Sequence, residues 1–200
     1  MNCRECFCGG TLMNRAVFLD RDGTINVDKG YLYKKEEFEF IPGVLEGLKL
    51  LQDAGFILII ITNQSGVARG YYTEEDLICL NRWMQEYLEE RNIIISKIYY
   101  CPHLPEAKIE KYRVSCNCRK PNTGLFYQAV KDFNIQLDKS YVIGDRLRDC
   151  SICRHCNCNG FVIGDTEDNQ IISGIKEHKY ANIEYVPSLL EAARIISMRA

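Results

Sequence analysis

Histidine is scarce in this chain of 200 residues: His103, His155 and His178 are the only three. Little is left for imidazole chemistry, whereas Asp and Glu together number 27, so acid, base or nucleophilic work is expected to fall to carboxylates. An excess of one charge is also lacking. Lys and Arg number 25 and the formal net charge is -2, which gives no basic field to attract nucleic acid. No run of about 18 apolar residues is present to span a bilayer. The start, Met1 to Leu12, has cysteines and a Gly pair where a secretory signal has a basic stretch and then a long apolar one. The expected location is the cytoplasm, with no nucleic-acid and no membrane partner. Internal repeats, low-complexity tracts and interdomain linkers are missing as well, and 46% hydrophobic content suffices for one sizeable core.

Cysteine, by contrast, is abundant, at 11 residues. Disulfide scaffolds are mostly short secreted chains with poor cores, and this chain is neither, so reduced thiols and metal ligands are the better readings. Ala16 to Asp20, Ile57 to Thr62, Ile98 to Cys101, Tyr141 to Asp145 and Phe161 to Ile163 are short, apolar, β-rich runs without polar alternation. That is the pattern of strands covered on both faces. Between them, Pro42 to Ala54, Thr73 to Arg91, Thr123 to Phe133 and Asp149 to Cys158 read as helices. Pro42 suits a first helical turn, and Thr73 suits an N-cap before Glu74, Glu75 and Asp76. A last strand, Ile183 to Val186, and a helix from Ser188 to Met198 complete the pattern. Alternating strands and helices predict an α/β fold with a doubly wound parallel sheet, in which ligands bind beyond the carboxyl ends of the strands.

The polar residues at those ends carry the chemistry. In Asp20-Arg21-Asp22-Gly23-Thr24 the first carboxylate ends a buried strand, and the second follows where Gly23 lets the chain turn. Two carboxylates in different environments can divide labour: one stays ionised as nucleophile, and the other, with a raised pKa, moves a proton. A phosphoester suits such a pair, and it also needs a metal, hydrogen-bond donors and a cation. Thr62-Asn63-Gln64-Ser65-Gly66 offers a hydroxyl and amides, Arg119-Lys120 a cation, and Asp145 an oxygen for Mg2+. Any one of these could simply cap the next helix, but four in this order argue for a site.

DRDGT, the strand-end Thr of TNQSG, the Lys of CRKP and GDRLRD resemble the four motifs of the haloacid dehalogenase superfamily of phosphatases, over about Met13 to Asp165. The resemblance implies a Rossmann-like fold with Asp20 as nucleophile, Asp22 as general acid and base, and Thr62 and Lys120 as phosphate stabilisers. It also implies Mg2+ held by Asp20, Asp145 and the carbonyl of Asp22, with Asp149 behind them. Neither Gly23 to Thr62 nor Ser65 to Arg119 leaves room for a separate cap domain, so a capless, open site is expected. Asp28, Lys29, Gly30 and Tyr31, with Asn63, Gln64, Ser65, Arg119 and Arg146, are the candidate substrate contacts, and a small sugar phosphate is the implied partner. A monomer is expected.

Cys101-Pro-His103, twelve residues and Cys116-Asn-Cys118 supply three sulfurs and one nitrogen, a tetrahedral set for structural Zn2+ that pins the loop 101–118. With this zinc loop the chain resembles two families of the superfamily, the D-glycero-D-manno-heptose 1,7-bisphosphate phosphatases and the histidinol-phosphate phosphatases. DRDGTINVDKGY and TNQSGVARGYYTEED look like the heptose type, whereas CPHLP and SYVIGDR also occur in the histidinol type. The first implies removal of the C7 phosphate, leaving heptose 1-phosphate, in the supply of ADP-heptose for lipopolysaccharide. The second implies histidinol phosphate, and a phosphate-binding regulatory protein without turnover is a further alternative. Residues 13–200 are expected to form one domain behind a cysteine-containing extension, 1–12, either a tail before a true start at Met13 or a metal-binding segment. Cys3, Cys6 and Cys8 there could share a second metal with Cys150, Cys153, Cys156 and Cys158. The alternative puts Cys150 and Cys153 on one helix face as small buried hydrophobes. Cys79 is expected in the core, and His155 and His178 in surface or structural roles.

Overall fold

All six expected strands are present in the computed structural model, which describes residues 13–164 and 182–200. They are β1 (Ala16–Leu19), β2 (Ile57–Asn63), β3 (Ile95–Cys101), β4 (Tyr141–Gly144), β5 (Asn159–Ile163) and β6 (Ile183–Val186). Every neighbouring pair is parallel, in the order β3-β2-β1-β4-β5-β6. The order reverses beside β1, so a crevice opens where β1 and β4 diverge at their carboxyl ends. The helices are α1 (Val44–Asp53), α2 (Ser65–Arg69), α3 (Glu74–Glu89), α4 (Gly124–Phe133) and α5 (Leu189–Arg199). Cys3, Cys6, Cys8 and His178 lie outside the described residues.

Strand alternation explains the two layers. Val17, Leu19, Leu58 and Ile60 face one core, filled by Leu48 and Leu51 of α1, Met84 and Leu88 of α3 and Ile196 of α5. Ala16, Phe18, Ile59 and Ile61 face the other, closed by Phe126 and Ala129 of α4. Phe18 meets Phe126 edge-on at 5.3 Å between ring centroids. Each such fully buried large side chain stabilises by roughly 1.5–3 kcal/mol relative to exposure. Thr73 caps α3 as anticipated: its hydroxyl accepts the Asp76 N–H at 3.1 Å while its own N–H donates to Asp76 at 2.8 Å.

Three local expectations are corrected. Residues 149–158 form turns with a 3-10 segment at Ser151–Arg154 in place of a helix. The Asp149 carboxylate accepts the Arg146 N–H at 3.0 Å, and its own N–H donates to Arg146 O at 2.9 Å. Asp149 thereby closes a tight turn over Gly144, where a Cβ would lie 2.3 Å from the Asp149 Cβ. Cys79 is exposed, because the buried stripe of α3 runs through Leu77, Leu80, Asn81, Met84 and Leu88 and leaves position 79 on the opposite side. The first helix begins at Val44 after Gly43, whose φ of +81 stops it from including Pro42. Cys150 and Cys153 are buried as expected, but on the 3-10 turn.

Candidate active site and metal centres

Parallel register decides which strand tips meet. Leu19 pairs with Ile60 and Ile143, so the next residue on β1, Asp20, lies between the ends of β2 and β4, and its N–H donates to Ile143 O at 3.0 Å. Asp20, Asp22, Thr62 and Asp145 line one cavity of about 380 Å3 at this edge. Asn63, Gln64, Ser65, Asp28, Gly30 and Tyr31 border it too, with Arg119 and Arg146. Lys29 is the one expected substrate contact directed elsewhere, its ammonium 3.0 Å from Glu39.

Lys120 enters from below, 3% exposed. Its ammonium touches Asp20 Oδ1 at 3.0 Å, Asp149 Oδ1 at 2.8 Å and the Ile61 carbonyl at 2.6 Å. Burial alone would drive its proton off, but Asp149 and Asp20 more than offset that and hold its pKa above the usual lysine range. Asn63 fixes the backbone at this point, since its amide donates to Lys120 O and accepts Lys120 N–H, both at 3.0 Å.

The carboxylates are ordered by their surroundings. Burial, opposed by Lys120 and reinforced by Asp149 and Asp22, pushes Asp20 up to about 6. Burial with the charges of Asp149 and Asp20 pushes Asp145 to about 7. Asp22 goes the other way: burial opposes its ionisation, yet Arg21 and donors from Asn26 and Gln64 hold it below the usual carboxylate range. Arg21 approaches its two oxygens at 3.1 and 2.9 Å, Asn26 donates at 3.0 Å and Gln64 at 2.7 Å. The expected raised pKa at Asp22 is therefore not found, because a buried cation, Arg21, sits beside it.

Asp20, Asp145 and Asp149 each bring a carboxylate oxygen within 4.8 Å of the others. Three crowded hard oxygens suit a divalent ion such as Mg2+, whose charge would offset both the burial and the carboxylate repulsion that raise the pKa values of Asp20 and Asp145. Both oxygens of Asp149 are already engaged by Lys120 and the Arg146 N–H, which leaves Asp20 and Asp145 as the freer pair. The side chain of Asp22 stays outside this cluster. Gly23 is required here: at φ +83, a Cβ would lie 2.6 Å from Asp145 Oδ2.

The second cluster brings the ligand atoms of Cys101, His103, Cys116 and Cys118 within 4.8 Å of one another. Sulfur separations are 3.0, 3.1 and 3.6 Å, and His103 Nδ1 lies 3.1 Å from Cys118 Sγ. Ligands at about 2.0–2.3 Å from a tetrahedral ion lie about 3.6–3.8 Å apart. The pairs Cys101 with Cys116, at 3.6 Å, and Cys101 with His103, at 3.8 Å, match that, and with a small outward shift of Cys118 these residues can hold zinc. The metal loop meets the catalytic edge twice. Cys101 pairs with Asn63 across β3 and β2, and Arg119, next to Cys118, donates to His103 O at 3.4 Å. Among the described residues no second cysteine cluster meets the same test.

Several neighbours escaped the sequence reading. Arg21 is fully buried, and its guanidinium also donates to Asn81 Oδ1 at 2.9 Å. Tyr72 donates to Gln64 Oε1 at 2.7 Å. Arg69 and Arg148 add cations to the cavity mouth. An arginine between two aspartates is the one signal that could have marked Arg21; the others depend on contacts that only folding creates.

Known proteins agree with this geometry. A family model described as polynucleotide kinase 3 phosphatase matches residues 15–158. A D-glycero-beta-D-manno-heptose-1,7-bisphosphate 7-phosphatase of Haemophilus ducreyi is 51% identical over 136 residues, 68% of this chain and 74% of that protein. The protein of the same name from Pasteurella multocida is 38% identical over 184 residues, 91% of this chain and 100% of its own length. Among solved structures, D,D-heptose 1,7-bisphosphate phosphatase from B. bronchiseptica, complexed with magnesium and phosphate, superposes with a TM-score of 0.78 at 26% identity. That match covers 93% of this chain and 99% of that one. Motifs, strand order and relatives together make this chain a member of the D-glycero-beta-D-manno-heptose-1,7-bisphosphate 7-phosphatase family, on the HAD-like phosphatase fold.

Proposed function

We propose that the chain hydrolyses D-glycero-D-manno-heptose 1,7-bisphosphate to heptose 1-phosphate through an aspartyl-phosphate on Asp20. The observation that carries this reading is the Lys120 ammonium in ion pairs with both Asp20 and Asp149 at the floor of the cavity that Asp22, Thr62 and Asp145 line. A carboxylate held by one buried cation, facing a hydroxyl, is suited to in-line attack on phosphorus. Asp20 forms the new O–P bond as the bond to the sugar oxygen breaks, and Asp22 gives that oxygen a proton. Water then attacks the phospho-enzyme, Asp22 takes back a proton, and inorganic phosphate leaves Asp20 free. Arg21, Asn26 and Gln64 favour the ionised form of Asp22 against its burial, and the incoming phosphate, itself an anion, raises its proton affinity once bound. Lys120 and Thr62 stabilise the phosphoryl oxygens. Mg2+, held by Asp20 and Asp145 when bound, supplies charge neutralisation to the phosphoryl group.

The mouth is read as the grip for the remaining phosphate. Arg119, Arg146, Arg69 and Arg148 border it with Asp28 and Tyr31, and guanidinium groups suit bidentate phosphate contacts. Residues 13–200 act as one domain with a structural zinc at loop 101–118. The chain works as a monomer in the cytoplasm, supplying the precursor of ADP-heptose; no helix among the described residues is long and apolar enough to cross a membrane. Phosphate release from both anomers of the heptose bisphosphate, histidinol phosphate and simple sugar phosphates tests this. A clear preference for histidinol phosphate overturns it.

A further inference from the structure

The geometry points to Gln64 as a positioning residue that aims both Asp22 and Thr62, with Tyr72 setting its orientation. This rests on the phosphatase reading above and changes the role expected of Gln64 from substrate contact to support.

Gln64 is 3% exposed and sits where β2 gives way to α2. Its Nε2 donates to Asp22 Oδ2 at 2.7 Å and to Thr62 Oγ1 at 2.9 Å, which uses both amide hydrogens. Its Oε1 accepts the Tyr72 hydroxyl at 2.7 Å. A flipped amide would set Oε1 against a carboxylate oxygen at 2.7 Å with no hydrogen between them, so electrostatics fixes the orientation.

Two consequences follow for the reacting groups. Thr62 Oγ1 receives a hydrogen from Gln64, so its own hydrogen points away from Gln64 and is available to a phosphoryl oxygen in the cavity that Thr62 lines. Asp22 is held on one side by Gln64 and on the other by Arg21 and Asn26, so its carboxylate cannot swing as charge develops on the leaving oxygen. The local sequence is built for this. Gly66 leaves the space that the Tyr72 ring occupies: a Cβ there would lie 2.2 Å from Tyr72 Cε1. Tyr33 stacks on that ring at 5.4 Å, and Tyr72 is 5% exposed.

The test is steady-state kinetics of Gln64→Ala and Tyr72→Phe with Mg2+, on heptose 1,7-bisphosphate and on p-nitrophenyl phosphate, beside the wild type. Misplacing a reacting group by about 1 Å can cost about 10²-fold. Gln64→Ala is therefore expected to lower kcat by about that factor while KM stays within about twofold, since only the transition state loses. Tyr72→Phe keeps the ring and is expected to lower kcat by several-fold, and by nothing further when added to Gln64→Ala. Gln64→Glu, which sets a second carboxylate against Asp22, should be no better than Ala, whereas a purely space-filling role would let Glu restore activity. A raised KM at constant kcat makes Gln64 a substrate contact and overturns the inference. So does unchanged kcat in Tyr72→Phe, which keeps the result decisive if Gln64→Ala does not fold. Wild type inert on both substrates would instead sink the phosphatase reading itself, a failure visible before any variant is compared.

Discussion

Burying acidic side chains close together at one strand edge should make the protein lose stability in magnesium-free buffer as pH rises from 5 to 7. Asp20 has its pKa raised to about 6 and Asp145 to about 7, both from 3.8. A group whose folded pKa lies above its unfolded value binds more protons folded than unfolded between the two values. Stability then falls with pH across that interval. The slope is about 1.4 kcal/mol per pH unit for each such group. Starting at pH 5, Asp20 stays in that regime for about one unit and Asp145 for about two, which gives a loss on the order of 3–4 kcal/mol by pH 7. For a chain of this size 1 kcal/mol moves Tm by roughly 2–4 °C, so a fall of roughly 10 °C is expected. Groups with opposite shifts do not mask it: Asp22 and Glu74 have lowered values and titrate below pH 5, and Cys156, lowered to about 7, acts above the window. Thermal unfolding in magnesium-free buffer, with zinc left in place, reads the effect. Saturating Mg2+ should raise Tm more at pH 7 than at pH 5, and Asp145→Asn should remove most of the slope. A Tm that is flat or rises from pH 5 to 7, or an equal gain from Mg2+ at both, refutes the reasoning.

Asp20→Asn should abolish turnover, by about 10⁴-fold or more. It should keep its circular dichroism spectrum and melt above wild type at pH 7 without Mg2+, because one charge of the cluster is gone. Gly23→Ala should cost about 1–2 kcal/mol from its φ of +83 alone. Its new Cβ, 2.6 Å from Asp145 Oδ2, should also raise the Mg2+ concentration for half-maximal rate; an unchanged Mg2+ dependence contradicts the close approach. Stripping zinc should lower activity by roughly 10-fold or more, through KM or through loss of the loop. Mg2+ binding at Asp20, followed by calorimetry, should survive; unchanged kinetics in zinc-free protein contradict a structural role.

How far the sequence could be read follows from the range of the forces involved. Strands covered on both faces leave a local mark, an unbroken apolar run, and residues 20, 62 and 145 were legible as strand-end groups because parallel order sends all such ends to one edge. The zinc ligands were legible because each pair sits within three residues. Arg21 was not, since its partner Asn81 lies 60 positions away and a buried cation has no signature in composition. Asp22 was misjudged for the same reason: its proton affinity is set by Arg21, Asn26 and Gln64 and not by its place in DRDGT. The expected helix at 149–158 failed where a tertiary anchor competed with local propensity. Asp149 is held by Lys120, 29 positions upstream in the chain, and that ion pair, with the Arg146 turn, overrides the weak helical preference of a cysteine-rich stretch.

The two metal centres divide by chemistry and join through the backbone. Thiolates and an imidazole favour zinc, while carboxylate oxygens favour Mg2+, so neither ion displaces the other from its own ligands. Yet the Cys101 carbonyl accepts the Gln64 N–H at 2.8 Å, and Asn63 clamps the backbone of Lys120, two residues past Cys118. The soft site therefore fixes the segment that carries Lys120 and steadies the one that carries Gln64, and the hard site is built from β1 and the turn after β4. Loss of zinc should disturb Lys120 and the segment that carries Gln64 while Asp20 and Asp145 keep their places. That asymmetry, a failing phosphoryl grip beside an intact Mg2+ site, separates a zinc that organises catalysis from one that only holds the fold, because general unfolding would remove both together.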